Sequence, residues 1–351
     1  MTRKLRIANV LISPHRGGLE RAHVSYSALL MNAGYEVDSW VHPKSPYLEE
    51  LIHLGTNTVT LKSKGLFDPI AIAKATYLLS TTKPNLVMTH NSRSTQILHH
   101  ARMFRDSRLV GVSHSNKLRR MLVADHLIAV NPEMLKEMID LGRSTKDCTW
   151  IPNFTPSFPS EPRKLWGREV NRIAFIGRAD KVKGLNSLLR AFSNLLELRP
   201  ELELHVAGVG DQADALGRTA RNLGIGKSLR LYSWVADIQD WMADKTLLVT
   251  PSLSETFGLV ALEAAMNGCP VLTSNVSGFR SQITPDYNGW MCAPGDVEEL
   301  SDSINRILSL SPKDRAKVAK LNFEEARKFS PEAAIKKINQ IITKTASPNC
   351  K

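Results

Sequence analysis

The sequence has no long hydrophobic run, although 42% of its 351 residues are hydrophobic. A membrane-spanning helix needs about 20 consecutive apolar residues, so this absence argues against a transmembrane protein. The start of the chain is basic, but it carries only a short apolar stretch and no small-residue cleavage site. This pattern favours a first β-strand over a signal peptide.

Cysteine is scarce, and its spacing excludes the common cysteine-based sites. The four cysteines form no Cys-x-x-Cys pair and have no histidine at zinc-binding spacing. Cys148, Cys269 and Cys292 lie in or beside apolar runs, which predicts buried free thiols. Free thiols fit a reducing compartment, so we expect a cytoplasmic location.

Two nucleotide-binding signatures are also missing. The chain contains no Walker loop and no Asp-x-Asp pair that would hold a metal-bound diphosphate. We therefore expect no metal and no other cofactor.

What the sequence does contain is an alternation of apolar runs and helical patterns. This order predicts a mostly parallel, doubly wound sheet. In the first half, strands are predicted at Leu5–Ile12, Tyr35–Val41, Asn57–Leu61, Leu86–Thr89, Leu109–Ser113, Leu127–Val130 and Thr149–Ile151, and helices at Leu19–Asn32, Asp68–Thr81, Ser94–Phe104 and Pro132–Leu141.

A proline-rich segment, Ile151–Arg168, interrupts the alternation and predicts a linker. After it, strands are predicted at Ile173–Ile176, Leu202–Ala207, Leu229–Tyr232, Thr246–Thr250 and Val271–Thr273, and helices at Leu185–Glu197, Gln212–Leu223, Leu259–Asn267, Val297–Leu308 and Pro331–Thr345. We therefore expect an α/β protein with two Rossmann-like domains, residues 1–160 and 161–330, whose parallel sheets face each other across a cleft. Residues 331–351 form a last helix that could pack on either domain.

The stretch Pro251–Pro270 is the most informative part of the second half. It predicts a strand end, a polar loop with Glu255, and a helix that contains Glu263. Between the two carboxylates, the helix starts at Phe257-Gly258-Leu259-Val260 without a capping side chain. Free N–H groups and the positive end of the helix dipole suit an anion, so a sugar nucleotide would fit this stretch. An ordinary charged surface helix is the alternative.

Other loops after predicted strands carry groups suited to phosphate. Gly177–Gly184 contains Arg178 and Lys183, which can bind a polyphosphate. Gly17 and Gly18 open the first helix, and Gly208 and Gly210 follow another strand, although paired glycines alone more often mark simple turns. His90 and His114 each follow a predicted strand and would point toward the same edge of the sheet, where a purely structural role is the alternative.

Taken together, these motifs resemble the family 4 retaining glycosyltransferases with the GT-B fold, which include lipopolysaccharide-core and glycolipid glycosyltransferases. The features that carry the resemblance are GGLE at 17–20, His114, GRADKVKG at 177–184, GVGD at 208–211 and ETFGLVALE at 255–263. The two glutamates separated by seven residues are the most specific of these. The sequence departs from the family at Asn153, which is followed by Phe154 where a glycine is common.

The resemblance implies a role for each matching residue. Glu255 and His114 would contact the transferred sugar at the reaction centre, and Glu263 would bind the ribose. Arg178, Lys183 and the backbone of residues 257–260 would hold the diphosphate. Gly17 and Gly18 would let the first loop close over the diphosphate or the acceptor. Weaker candidates are His90 beside His114, and Gly208, Gly210, Trp234 and Val235 around the nucleotide.

The acceptor is expected to be a lipopolysaccharide, a glycolipid or a surface polysaccharide, and the donor a nucleotide-diphosphate sugar, UDP-linked by preference. The N-terminal domain generally binds the acceptor in this fold. There, residues 91–120 contain seven basic side chains and one acid, and Lys117, Arg119 and Arg120 lie beside apolar Leu118, Met121, Leu122 and Val123. This segment predicts attachment to an anionic membrane surface, on the inner face of the cytoplasmic membrane. The alternatives are a solvated basic face and apolar side chains that belong to the core.

Two other functions fit parts of the sequence. A sugar-nucleotide 2-epimerase could use the same two-domain fold, but the glutamate pair argues against it. A nucleic-acid-binding protein would explain the net charge of +12, yet no zinc, RNP or helix-turn-helix signature accompanies that charge. We therefore expect no nucleic-acid partner.

Overall fold

The computed structural model describes residues 4–103, 107–162, 171–235 and 237–346. Contacts divide the chain into two units. The first unit comprises Met1–Ser157 together with Phe329–Lys351, and the second comprises Phe158–Lys328. Each unit is built around its own parallel sheet.

The first unit contains a seven-stranded sheet. Its strands are β1 (Arg6–Leu11), β2 (Glu36–Val41), β3 (Asn57–Thr60), β4 (Leu86–Thr89), β5 (Arg108–Ser113), β6 (His126–Ala129) and β7 (Cys148–Trp150). They lie in the order β3-β2-β1-β4-β5-β6-β7, and every pairing is parallel. The direction of strand addition reverses between β1 and β4, which is the point where ligands bind in sheets of this topology.

Helices cover both faces of this sheet, so its central strands are buried throughout. All four residues of β4 and five of the six in β1 are buried. The sequences of such strands are continuous apolar runs. The ends predicted for the central strands therefore agree with the observed ends to within one residue. The helices are α1 (Gly18–Asn32), α2 (Leu48–His53), α3 (Pro69–Thr82), α4 (Ser92–Ala101) and α5 (Pro132–Asp140).

The second unit contains a six-stranded sheet. Its strands are β8 (Arg172–Ile176), β9 (Glu203–Ala207), β10 (Leu229–Tyr232), β11 (Leu247–Thr250), β12 (Val271–Ser274) and β13 (Trp290–Cys292). The order is β10-β9-β8-β11-β12-β13, again with parallel pairing throughout. The reversal falls between β8 and β11, so the loops after these two strands meet at the ligand-binding edge.

Alternating side chains of β8 serve two separate cores in the second unit. Ile173 and Phe175 join the larger core, and Ala174, between them, joins the smaller one on the other face. The helices that cover the sheet are α6 (Leu185–Leu198), α7 (Ala213–Asn222), α8 (Ile238–Met242), α9 (Leu259–Met266), α10 (Ser277–Arg280), α11 (Val297–Ser309) and α12 (Pro312–Ala326). The expected α/β fold, with two Rossmann-like domains that each contain a parallel sheet, is thus confirmed.

The last helix, α13 (Pro331–Ala346), packs on the first unit. Ala334, Ile338, Ile341 and Ile342 form its buried face. Tyr35 Oη donates to Asn339 Oδ1 at 2.9 Å, while Lys337 Nζ lies 5.0 Å from the centre of the Trp150 ring. After the whole second unit, the chain therefore returns to complete the first.

The segment predicted as a linker, Ile151–Arg168, is only partly one. Residues 151–155 are buried in the first unit, where the Phe154 ring packs 4.9 Å from the ring of Tyr26. The prolines prevent regular secondary structure but do not expose the backbone. Residues 163–168 of the predicted linker lie outside the described residues, as does Phe104 at the end of one predicted helix.

Cys148, Cys269 and Cys292 are buried thiols that form no disulfide, as the sequence predicts, while Cys350 lies outside the described residues. Burial raises the pKa of the Cys292 thiol to about 12 and also raises the pKa of Cys148. In the part of the chain that the structure describes, no helix is long and apolar enough to span a bilayer.

Candidate active site

In the second unit, Lys183 and Glu255 form an ion pair across the loops that follow β8 and β11. Lys183 Nζ lies 2.6 Å from Glu255 Oε2, and the two side chains are only 26% and 13% exposed. The residues are 72 positions apart in the sequence. The fold thus joins one group predicted to bind phosphate to one predicted to bind sugar.

The two loops approach each other through their backbones. Leu253 N donates to Val182 O at 2.7 Å. Gly184 has a φ of +69°, and a Cβ atom there would lie 1.9 Å from the carbonyl oxygen of Pro251. Only glycine permits both this left-handed conformation and this close approach, so Gly184 allows the Lys183–Glu255 contact to form.

The Glu255 loop is also held from the other side by the turn after β12. The carbonyl oxygen of Glu255 accepts from Gly278 N at 3.0 Å and from Ser277 Oγ at 3.2 Å. Gln282 Nε2 donates to the carbonyl oxygen of Phe257. The backbone beneath the Glu255 carboxylate is therefore fixed by three donors that the sequence analysis did not identify.

Helix α9 begins at Gly258 with no side chain capping its first turn. Gly258 has a φ of +86°, and a Cβ there would lie 2.2 Å from the Phe279 ring, so the position requires glycine. Phe257 is buried, and Leu259, Val260 and Glu263 are half-buried. Because no side chain caps this turn, its N–H groups suit an anion, and anion binding here stays the prediction made from the sequence.

Arg178 and Asp180 lie in the loop after β8. Arg178 is largely exposed, and its Nη2 atom lies 3.0 Å from Asp180 Oδ2. Asp180 Oδ1 accepts from the backbone N–H of Lys183 at 3.2 Å, which fixes the turn that carries Lys183. The Arg178 side chain is long and solvated, so it can leave Asp180 for a stronger anion at little cost.

The remaining predicted nucleotide-binding residues occupy the neighbouring turns of the same unit. Gly208 and Gly210 follow β9, and Gly177 N donates to the carbonyl oxygen of Ala207 at 3.0 Å, which joins the turns after β8 and β9. Trp234 is 55% exposed and Val235 half-buried in the segment after β10. These residues lie at the same edge of the sheet as Lys183 because all its strands are parallel.

In the first unit, Gly17 and Gly18 precede and begin α1. Gly17 is extended, with a φ of 176°, and needs no special conformation. Behind it, the buried Glu20 carboxylate accepts a hydrogen bond from Ser13 Oγ at 2.5 Å. Glu20 therefore orders the loop that carries the two glycines, a role that the sequence analysis did not assign.

His90 and His114 are brought together at the ends of β4 and β5. His90 Nδ1 and His114 Nε2 are 3.1 Å apart, and the two rings are stacked with centres 5.4 Å apart. Burial lowers the pKa of His114 to about 3 and that of His90 well below its usual value. Both imidazoles are therefore neutral at neutral pH.

The basic segment is less apolar at its surface than its sequence suggested. Leu118 and Met121 are buried in the first unit, so for these two the alternative that assigned them to the core is correct, while Leu122 and Val123 are half-buried. Arg102 is paired with Asp125. Lys117, Arg119 and Arg120 are exposed, whereas Arg105 lies outside the described residues. Among the described residues, no cluster of His, Cys, Asp or Glu could hold a metal ion.

Two family models match the chain. The model of Glycosyltransferase Family 4 matches residues 16–157, and that of Glycosyl transferases group 1 matches residues 160–324. Each match coincides closely with one sheet-bearing unit. Together they cover both sets of predicted site residues.

Curated relatives match more locally. A D-inositol 3-phosphate glycosyltransferase of Frankia alni is 33% identical over 171 residues, which are 45% of this chain and 42% of the relative. A D-inositol 3-phosphate glycosyltransferase of Kribbella flavida is 29% identical over 229 residues, 60% of this chain and 54% of the relative. The chain thus spans about half the length of these relatives.

Solved structures match over almost the whole chain. Anabaena HepE in complex with UDP-glucose has a TM-score of 0.84 at 18% identity, covering 97% of this chain and 100% of that one. The lipopolysaccharide outer core galactosyltransferase WaaB has a TM-score of 0.75 at 20% identity, with 97% and 99% coverage. At these identities the likeness concerns the fold. With a family model matched on each unit, the chain belongs to the family 4-like glycosyltransferases of the GT-B fold.

Proposed function

We propose that the protein transfers a hexosyl group, with retention of configuration, from a UDP-linked sugar to a hydroxyl group of a lipopolysaccharide, glycolipid or surface polysaccharide. The observation that carries this proposal is the Lys183–Glu255 ion pair beside the uncapped start of α9. It brings a lysine ammonium group, a carboxylate and an uncapped helix start to one edge of one sheet, and these groups suit the diphosphate and the sugar hydroxyls of such a donor. The solved structures of HepE in complex with UDP and UDP-glucose support the choice of donor.

Each side chain then has a role in the reaction. Lys183, Arg178 and the N–H groups of residues 257–260 bind the diphosphate and stabilise the charge that develops on it as the bond to the sugar breaks. Such preorganised electrostatic stabilisation is usually the largest contribution to catalysis. Glu263 binds the ribose, and Glu255 binds hydroxyl groups of the transferred sugar. His114 contacts the same sugar.

The proposed transfer breaks one bond at the anomeric carbon and forms one bond there, and it needs no cofactor. The bond between the anomeric carbon and the phosphate oxygen breaks, and UDP keeps its electron pair. The acceptor oxygen forms the new bond on the same face of the sugar, and its proton passes to the departing phosphate. No side chain of the site is assigned as a covalent nucleophile, and no metal takes part in the proposal.

The test of donor binding is thermal stabilisation by UDP, GDP, ADP, TDP and CMP. A nucleotide at 100 times its dissociation constant adds about 2.7 kcal/mol to the free energy of unfolding. We expect UDP to raise the melting temperature of the wild type, and Arg178→Ala and Glu263→Ala to reduce that effect. Arg218→Ala, an exposed change on α7, is the matched control and should respond like the wild type.

The reaction itself is tested by incubation with UDP-glucose and candidate acceptors, with the product analysed by NMR. Glycolipids and lipopolysaccharide cores are the first acceptors to try. Inositol 3-phosphate is included because the curated relatives carry it in their names. An α-linked product supports retention. A β-linked product, or an epimerised sugar nucleotide formed without any acceptor, contradicts the proposal.

We further propose that the first unit rests on an anionic membrane surface through the exposed side chains of Lys117, Arg119 and Arg120. Each such charge near anionic lipid contributes about 1 kcal/mol. Replacing all three by glutamate should abolish sedimentation with phosphatidylglycerol vesicles in low salt. The matched control changes Lys313, Lys317 and Lys320 of α12, which are equally exposed, and should leave sedimentation unchanged. If both triple variants lose sedimentation equally, the net charge of the protein explains vesicle binding, and the proposed surface is wrong.

A further inference from the structure

A buried chain of hydrogen bonds lies behind His114. It runs from Asn9 in β1 to His90 after β4 and then to His114 after β5. Asn9 Oδ1 lies 2.7 Å from His90 Nε2, and His90 Nδ1 lies 3.1 Å from His114 Nε2. Asn9 and His90 are both fully buried. Each atom in this chain must therefore act either as donor or as acceptor, and the assignment can be followed from one end.

The orientation of the Asn9 amide is determined by its other neighbours. Its Nδ2 atom lies 3.1 Å from the carbonyl oxygen of His23 and 2.9 Å from Ser27 Oγ. A carbonyl oxygen can only accept, so the atom facing it must be the NH₂ group. The Asn9 Oδ1 atom therefore faces His90 and accepts from it.

The tautomers of the two histidines follow from this orientation. His90 Nε2 faces an acceptor, so it carries the proton. Because His90 is neutral, its Nδ1 atom has a lone pair and accepts from His114. His114 Nε2 must then carry the proton of the second ring. Since burial holds the pKa of His114 at about 3, its Nδ1 atom is unprotonated at neutral pH.

We propose that Asn9 and His90 are positioning residues that hold His114 as the Nε2-protonated tautomer, so that its Nδ1 atom accepts a hydrogen bond from a hydroxyl group of the transferred sugar. The identity of that ligand rests on the proposed function, whereas the tautomer does not. A neutral acceptor nitrogen recognises a hydroxyl group and has no proton to give to a phosphate. His114 would thus select for the sugar and take no part in protonating the leaving group.

The tautomer can be observed directly in the wild-type protein. In a sample with ¹⁵N-labelled histidine, long-range ¹H–¹⁵N correlations distinguish protonated from unprotonated ring nitrogens. Signals are assigned by comparison with His90→Gln and His114→Gln. We expect a protonated Nε2 and an unprotonated Nδ1 for both residues at pH 7.5. A protonated Nδ1 in His114 would overturn the proposal without any assay of activity.

Two substitutions of His90 separate positioning from simple packing. Glutamine has an oxygen that can accept from His114 and an NH₂ group that can donate to Asn9, so His90→Gln preserves the chain. Phenylalanine preserves the ring contacts with Tyr26 and His23 but has no polar atom. We expect the His114 tautomer to persist in His90→Gln and to become mixed in His90→Phe. His99→Phe is the matched control, because His99 lies on α4 and takes no part in the hydrogen bonds between Asn9, His90 and His114.

Binding supplies the functional readout. The dissociation constants of UDP and UDP-glucose are measured for each variant by calorimetry. His90→Phe should weaken the binding of UDP-glucose by about tenfold, which is the effect of one lost hydrogen bond, and should leave the binding of UDP unchanged. His90→Gln should resemble the wild type for both ligands. A merely structural His90 would give the opposite ranking, with phenylalanine tolerated better than glutamine.

Failure of the inference is distinguishable from failure of the proposed function. If neither UDP nor UDP-glucose binds the wild type, the proposed function and the sugar contact are both overturned, and the NMR spectrum alone decides the tautomer. If UDP-glucose binds and His90→Phe weakens UDP equally, the proposed contact between His114 and the sugar is wrong. Selective loss of UDP-glucose binding with a mixed tautomer supports the inference in full.

Discussion

At the scale of single residues, the Lys183–Glu255 pair combines stability and ligand binding. Both groups are mostly buried, so removing one partner leaves an uncompensated charge. Exposed pairs contribute up to about 1 kcal/mol, and breaking a fully buried pair costs about 3–5 kcal/mol. This pair lies between those limits.

We predict that Glu255→Ala lowers the free energy of unfolding by about 1–3 kcal/mol. Lys183→Met should cost a similar amount, and the double variant should cost less than the two single changes together. Urea denaturation measures all three. Lys183→Met should also lose most of the stabilisation by UDP, whereas Lys183→Arg should keep part of it. Additive costs would show that the two groups do not interact in solution.

Buried histidines make the stability depend on pH. Burial lowers the pKa of His23 and His126 to about 4, compared with 6.5 in the unfolded chain. Between these values the unfolded chain binds the additional protons. Lowering the pH through this range therefore favours unfolding, and stability is recovered as the pH rises above about 6.5.

We predict that each such histidine lowers the free energy of unfolding by about 1.4 kcal/mol for each pH unit between about pH 6 and the folded pKa of about 4. His126→Gln keeps a partner for Thr149 Oγ1, which lies 2.9 Å from His126 Nε2, and removes one titrating group. Denaturation between pH 4.5 and 7.5 should give a shallower dependence for this variant. His53→Gln, on the surface of α2, is the control. An unchanged slope in His126→Gln would contradict the assignment.

At the scale of elements, the glycine that precedes α6 determines whether the two phosphate-binding loops can meet. Gly184 combines a positive φ with a contact of 1.9 Å for any added Cβ. Gly224 has a similar φ, +73°, but no atom within 4 Å of such a Cβ. Comparing the same substitution at Gly184 and Gly224 therefore distinguishes the cost of backbone strain from the cost of steric overlap.

We predict that Gly184→Ala costs about 2–5 kcal/mol, since strain and overpacking add, while Gly224→Ala costs about 1–2 kcal/mol for strain alone. Thermal denaturation compares the two variants. Gly184→Ala should also lose stabilisation by UDP, because the Lys183 loop must move away from Glu255. Equal behaviour of both variants would exclude steric contact with Pro251 as the cause.

Elements also show what the sequence could and could not predict. The fully buried strand β4 and the only partly buried strand β10 were both located to the residue, because polar turns bound each of them. Helices α2, α8 and α10 were missed because four to six residues contain too little periodicity. The three-residue β13 was missed for the same reason. Helix α12 was missed because charged residues occur all around it.

The site was predictable as a set of motifs and not as a set of contacts. The loops with Lys183 and Glu255 were recognised from glycines and charges near strand ends, but their ion pair depends on strand order. Asn9 could have been noticed as a polar residue inside an apolar strand. Its partner His90 lies 81 positions away, and no local pattern connects the two.

At the scale of the whole molecule, α13 makes the stability of the first unit depend on the end of the chain. Ile338 is fully buried against that unit. We predict that Ile338→Ala costs about 2–5 kcal/mol. Hydrogen exchange followed by mass spectrometry should become faster in α1 and β4 but not in β8 or β11. Lys336→Ala, an exposed change on the same helix, should leave exchange unchanged, and uniform acceleration in both units would contradict this assignment.

The return of α13 has a consequence for synthesis. A ribosome that has just added Ser157 has synthesised every strand of the first sheet, yet the helix that covers part of that sheet lies beyond Lys328 in the sequence. At about 5–20 residues per second, the intervening stretch delays that helix by roughly ten to thirty seconds. During this interval the second unit is being synthesised, while the first still exposes the apolar surface that α13 will cover. The unit made first is thus completed last, and chaperones would be expected to bind it during translation.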